Sequence, residues 1–181
     1  MADQQPTATD SPDPLSGAAD PFADLVAANA AYSADFSGEF DGIARAGVAV
    51  VTCMDSRIDP LHMIGLAQGD AKIFRNPGGR VTEAALEALV LGVHLLNVQR
   101  ILVVPHTRCA MALNTEQDLQ VRIGELAGQD VSWHAFHVVT DQQATLRADV
   151  RRITSHPLIP ETVAVGGFMY DVDTGALHHV V

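Results

Sequence analysis

At 181 residues the chain is long enough to bury one good core and too short for two comfortable ones. Hydrophobic residues make up 48% and charged residues 18%, and the longest apolar runs, near residues 47–52 and 101–105, are strand-sized rather than membrane-sized. The net charge of −11, with Lys72 the single lysine, argues against nucleic acid as a partner, because phosphate binding wants a basic face.

Residues 1–20 carry neither a basic start nor an apolar block, only Ala, Asp, Pro, Ser, Thr and Gln among their commonest types. They read as a disordered tail rather than a signal peptide, and a cytoplasmic location is expected. Asp20-Pro21 reads as an N-cap followed by Pro in the first turn, opening a short amphipathic helix with Phe22, Leu25 and Val26 on one side. Residues 21–40 therefore form an N-terminal helical arm, too weakly apolar to stand alone and suited to packing on a partner subunit.

Residues 41–181 read as one α/β domain. Val48, Ala49, Val50 and Val51 form a continuous apolar run, as expected of a strand buried on both faces. Residues 60–66 suggest a short helix and 71–74 a second strand. Thr82 caps a helix to about Leu96, with Leu86, Leu89, Val90 and Val93 at helical spacing. A third strand follows at 101–104, then helices near 118–126 and 141–155. A strand at 162–170, a turn at Asp173-Thr174-Gly175 and a short last strand close the chain. This alternation predicts a mainly parallel sheet flanked by helices on both faces, ending in a hairpin.

Chemistry-bearing residues gather after two strands: Cys53-Met54-Asp55-Ser56-Arg57 after the first, and His106-Thr107-Arg108-Cys109 after the third. In an open parallel sheet ligands bind at the carboxyl ends of the strands, so both segments meet at that crevice. Cys53 and Cys109 are the only cysteines, and in a cytoplasmic chain such a pair points to metal ligation or catalysis before a structural disulfide. A helical turn would bring His106 and Cys109 to one face, with Cys109 in a first turn that favours its thiolate. Two sulfurs, one imidazole and an open fourth position make the pattern of a catalytic zinc site.

These two segments, together with Arg75-Asn76-Pro77-Gly78-Gly79-Arg80, resemble the three signature stretches of the β-carbonic anhydrases, closely over residues 48–111 and more loosely to the 167–171 segment. The resemblance implies that Cys53, His106 and Cys109 hold Zn2+ and that Asp55 and Arg57 form a carboxylate–guanidinium dyad. Asp55 would either accept a proton from zinc-bound hydroxide or plug the site. Asn76, Gly78 and Gly79 would line the substrate pocket and the dimer contact. It further implies a homodimer or higher homo-oligomer that reversibly hydrates carbon dioxide to bicarbonate by a zinc-bound hydroxide, with no membrane or nucleic-acid partner.

The family's loop usually reads Asn-Ala-Gly and its histidine motif Asp-Cys-Gly, so Pro77, Arg108 and Ala110 depart from it. Pro77 is expected to remove a backbone donor. The departures keep two other functions open: hydrolysis of carbonyl sulfide or carbon disulfide at the same metal, and a silent zinc-binding homologue. A dithiol redox role for Cys53 and Cys109 is a further alternative. His134 and His137 stand among Trp133 and Phe136 and read as packing, His178-His179 as a solvated strand end. Asp171-x-Asp173-x-Gly175 lacks the distal Glu of a calcium loop and reads as a hairpin turn.

Overall fold

A computed structural model describes residues 20–38 and 40–181. Almost all of the expected tail at 1–20 lies outside the described residues. Contacts divide the chain into two units, one ending at residue 39 and one covering Phe40–Val181. In the first, helix α1 spans Ala23–Ala34 and buries none of its residues. Asp20 does not cap it; its carboxylate accepts from the Phe22 amide at 2.9 Å, forming a turn before the helix.

The second unit holds a five-stranded sheet in the order β2-β1-β3-β4-β5. β1 (Val48–Cys53), β2 (Ala71–Asn76), β3 (Arg100–Val104) and β4 (Ala164–Tyr170) run parallel. β5 (Leu177–His179) returns antiparallel to β4, giving the C-terminal hairpin. All six residues of β1 are buried, which is why the segment is apolar on both faces.

The two faces are covered differently. Ala49, Val51, Ile101 and Val103 pack with Ala85, Leu86 and Leu89 of α2 (Glu83–Leu95) and Leu146, Val150 and Ile153 of α5 (Gln142–Thr154). The other face, with Val48, Val50 and Val104, is covered by Ile58, Met63, Ile64, Met111 and Tyr170 rather than by a long helix. The expected helix at 60–66 shrinks to a single 3-10 turn, His62–Ile64, because Gly65 enters the left-handed region at φ 70° and stops it. Thr82 does cap α2, accepting from the Ala85 amide. A short α3 (Ala110–Leu113), with Cys109 at its N-cap rather than inside its first turn, precedes α4 (Glu116–Ala127).

The order β2-β1-β3 sets up the site. The chain leaves β1 toward one neighbour, then crosses back to place β3 on the other side. The carboxyl ends of β1 and β3 thus flank the point where strand order reverses, the usual binding crevice of such sheets.

Candidate metal centre

Cys53 is the last residue of β1, and β3 ends two residues before His106. The two strand ends are tied by the buried Thr52 hydroxyl, which donates to the Val104 carbonyl at 2.7 Å. Gly79 then comes in against them. It sits at φ +65°, and a Cβ there would lie 3.0 Å from the Cys53 nitrogen and the Thr52 carbonyl carbon. Only a residue without a side chain allows this approach. Asn76 shapes the same loop by donating to the Arg80 carbonyl at 2.7 Å while accepting from the Arg80 amide at 2.8 Å.

Three donor atoms converge in this crevice. Those of Cys53, His106 and Cys109 lie within 4.8 Å of one another, the one such cluster of His, Cys, Asp or Glu among the described residues. All three side chains are buried, His106 completely. Its Nδ1 lies 2.8 Å from the Thr107 carbonyl, which assigns the ring proton to Nδ1 and leaves Nε2 as a lone-pair donor. That Nε2 is buried with no hydrogen-bond partner. The two sulfurs are 4.0 Å apart, close to the roughly 3.8 Å that two thiolates keep on one tetrahedral zinc. Thiolate and imidazole donors match zinc rather than magnesium or calcium.

The two thiols are in contact, and either can be the donor. That contact, with the amides of Asp55 and Gly78, lowers the Cys53 pKa. The same contact, together with burial, pushes the Cys109 thiol up. The local backbone differs from the expected helical turn. His106 bridges to Tyr170 as a strand residue, Arg108 lies at φ 57°, and Cys109 is the N-cap of α3.

Asp55 and Arg57 stand at the edge of this cluster. Arg57 grips the carboxylate with two parallel bonds, Nε to Oδ1 at 2.9 Å and Nη2 to Oδ2 at 2.7 Å. This guanidinium holds the Asp55 carboxyl well below the usual carboxylate range. Asp55 Oδ2 lies 3.7 Å from His106 Nε2. Arg75 fixes the loop from outside, donating to the Cys53 and Asp55 carbonyls at 2.9 and 2.5 Å.

The departures from the signature stretches are accommodated. Pro77 opens the 3-10 turn Pro77–Gly79, where no partner within the turn awaits its missing N–H. Ala110 is exposed and outside the positive-φ residues, so its methyl group has room.

Two supports were invisible in the pattern of motifs. Gln142, at the start of α5, donates to the His106 carbonyl at 2.9 Å. Asp149, 4% exposed, accepts from Arg80 Nε at 2.7 Å and from the Val81 amide at 3.2 Å. The signal for Asp149 was a carboxylate on the buried face of α5, between Leu146 and Ile153. Cys109, Gly78, Gly79, Arg80, Gln142 and Asp149 help to line a narrow cavity of about 10 Å³.

A family model described as "Carbonic anhydrase" matches residues 48–177. The chain is 31% identical over 157 residues to "Beta-carbonic anhydrase 1" of Mycobacterium tuberculosis, covering 87% of this chain and 96% of that protein. The chain belongs to the β-carbonic anhydrase family. It is also 30% identical over 152 residues to "Carbon disulfide hydrolase" of an Acidianus strain, covering 71% of this chain and 74% of that one. Among solved structures, the carbonic anhydrase of Streptococcus mutans superposes with a TM-score of 0.79 at 35% identity, covering 88% of this chain and 97% of that one. The five-stranded arrangement is thus the β-carbonic anhydrase fold.

Proposed function

We propose that this chain catalyses the reversible hydration of carbon dioxide to bicarbonate, with zinc held by Cys53, His106 and Cys109. The observation that carries the reading is the convergence of three buried donors, one of them an orphaned imidazole nitrogen, beside an ionised carboxylate. Zinc bound there supplies a Lewis acid that makes water nucleophilic near neutral pH.

The chain's own residues supply the rest. Asp55, held ionised by Arg57, keeps an acceptor oxygen at the site across the working pH range. A carboxyl so acidic cannot store a proton at neutral pH. Asp55 therefore orients a hydroxyl donor rather than acting as the final base, and the proton passes on to solvent. Arg57 places two of its N–H donors on Asp55, which aims the carboxylate and sets its charge. Gly78 and Gly79 line the narrow cavity beside Cys109. The relatives named as carbon disulfide hydrolases support a second reading, hydrolysis of that gas at the same centre. Cytoplasmic residence fits two free buried cysteines.

The test is stopped-flow carbon dioxide hydration at a pH of about 8.5, where a weakly acidified water is deprotonated, on protein carrying one zinc per chain. Turnover above the buffer blank that disappears in Asp55→Ala with zinc retained is expected. Sulfide release from carbon disulfide without carbon dioxide turnover would favour the second reading. A zinc-loaded protein inactive on both gases would leave a silent homologue.

A further inference from the structure

The hairpin turn at 171–175, unused by the reading above, reaches the dyad. Asp171 Oδ1 accepts from the amides of Asp173 and Thr174 at 2.8 and 3.1 Å, and the Gly175 amide donates to the Asp171 carbonyl at 2.8 Å. This turn presents the Asp173 carboxylate on a fixed scaffold. The turn is stapled to the histidine segment twice, by Thr107 N to the Tyr170 carbonyl at 2.9 Å and by Val172 N to the Thr107 hydroxyl at 3.1 Å. Asp173 adds a third link, a 2.5 Å ion pair with Arg108 Nη1.

That link bears on Arg57. Arg108 sits at φ 57°, a region an L side chain enters at a cost. In this conformation its carbonyl accepts from Arg57 Nη2 at 3.3 Å, on the same nitrogen that grips Asp55 Oδ2. Asp173 is also close enough for its charge to act on Arg57 directly. Arg57 is thus held between Asp55 on one side and the Arg108 carbonyl with Asp173 on the other.

We propose that Asp173 is a positioning residue, holding Arg57 on Asp55 through Arg108 and through its own charge. The inference rests on the dyad role given above to Asp55 and Arg57. Asp173 touches neither substrate nor metal ligands; the hairpin sets how firmly the carboxylate beside His106 is aimed. Both members of the pair are more than half exposed, so removing the charge should leave the fold intact.

The test uses the zinc-loaded full chain and the variants Asp173→Asn and Asp173→Glu. One readout is independent of turnover: the Arg57 Nε–H resonance in a 1H–15N spectrum, assigned by its loss in Arg57→Lys. In Asp173→Asn, zinc content and melting temperature should match the wild type while that resonance shifts or broadens. Its kcat for carbon dioxide should fall about fivefold with KM unchanged, the mark of lost alignment rather than lost binding. Asp173→Glu should recover both. A wild-type resonance and wild-type kcat in Asp173→Asn would overturn the proposal while leaving the function standing. If the wild type hydrates no carbon dioxide, the function fails and the resonance decides alone: a shift supports the positioning role, and no shift overturns it.

Discussion

Asp55 is bound by both donors of one guanidinium, and this grip has a pH signature of its own. The Arg57 side chain lowers the Asp55 pKa first and most, with the Arg57 amide adding to it. A carboxylate depressed in the folded state stabilises the protein fully above its unfolded pKa, near 4, and loses that stabilisation as the pH falls through the folded value. In Arg57→Ala the carboxyl should return toward its ordinary value. Thermal melts of wild type and Arg57→Ala should therefore differ most at neutral pH and converge toward a pH of about 2. A gap that stayed constant, or widened on acidification, would show that Arg57 stabilises the fold by packing instead. With zinc retained at neutral pH, Arg57→Ala should also lose most of its turnover, since Asp55 is then charged but not aimed.

At the scale of elements, the 76–80 loop decides whether the strand ends can form a site. Gly79 meets both β1 and the Val104 carbonyl within 3.2 Å of where a Cβ would stand, and it does so at positive φ. Gly79→Ala must move backbone, not a flexible side chain. The expected cost is about 2–3 kcal/mol, read as a melting temperature lower by roughly 5–10 °C, together with weaker zinc retention. An unchanged melt would mean the loop can back away from β1 freely. This loop also shows what sequence could and could not supply. The apolar runs at 48–51 and 101–104 announced buried parallel strands, and motifs directly after them fell at the crevice by topology alone. Cys53, His106 and Cys109 were legible for that reason, as was the Thr82 cap. The turn around His106 was not, because Arg108 takes a left-handed conformation that its side chain does not advertise. Nor was the uneven cover of the sheet, where both long helices share one face. Asp149 and Gln142 escaped notice because their partners lie far along the chain, and only the folded sheet brings α5 to Arg80 and His106.

For the whole molecule, the question is what α1 is for. Phe22, Leu25 and Val26 stand at helical spacing, and each is more than 60% exposed. A 12-residue helix of this kind is marginal alone in water, since so few hydrogen bonds follow its costly first turn. In the second unit α4 likewise buries no residue, and Leu126 and Trp133 are exposed. Apolar surface left on two separate units favours association of copies. Sedimentation equilibrium should therefore give a dimer or larger species rather than the 19.2 kDa chain. Leu25→Glu with Val26→Glu should shift it toward monomer while circular dichroism keeps the fold of the sheet unit. The charge of −11 adds a direction to the test. Like-charged copies repel at low ionic strength, and salt screens that repulsion while leaving apolar contact intact. Association built on these faces should tighten as salt is raised. Dissociation by salt would instead mean that ion pairs hold the copies together, and a wild type monomeric at every concentration would leave α1 without the partner its sequence demands.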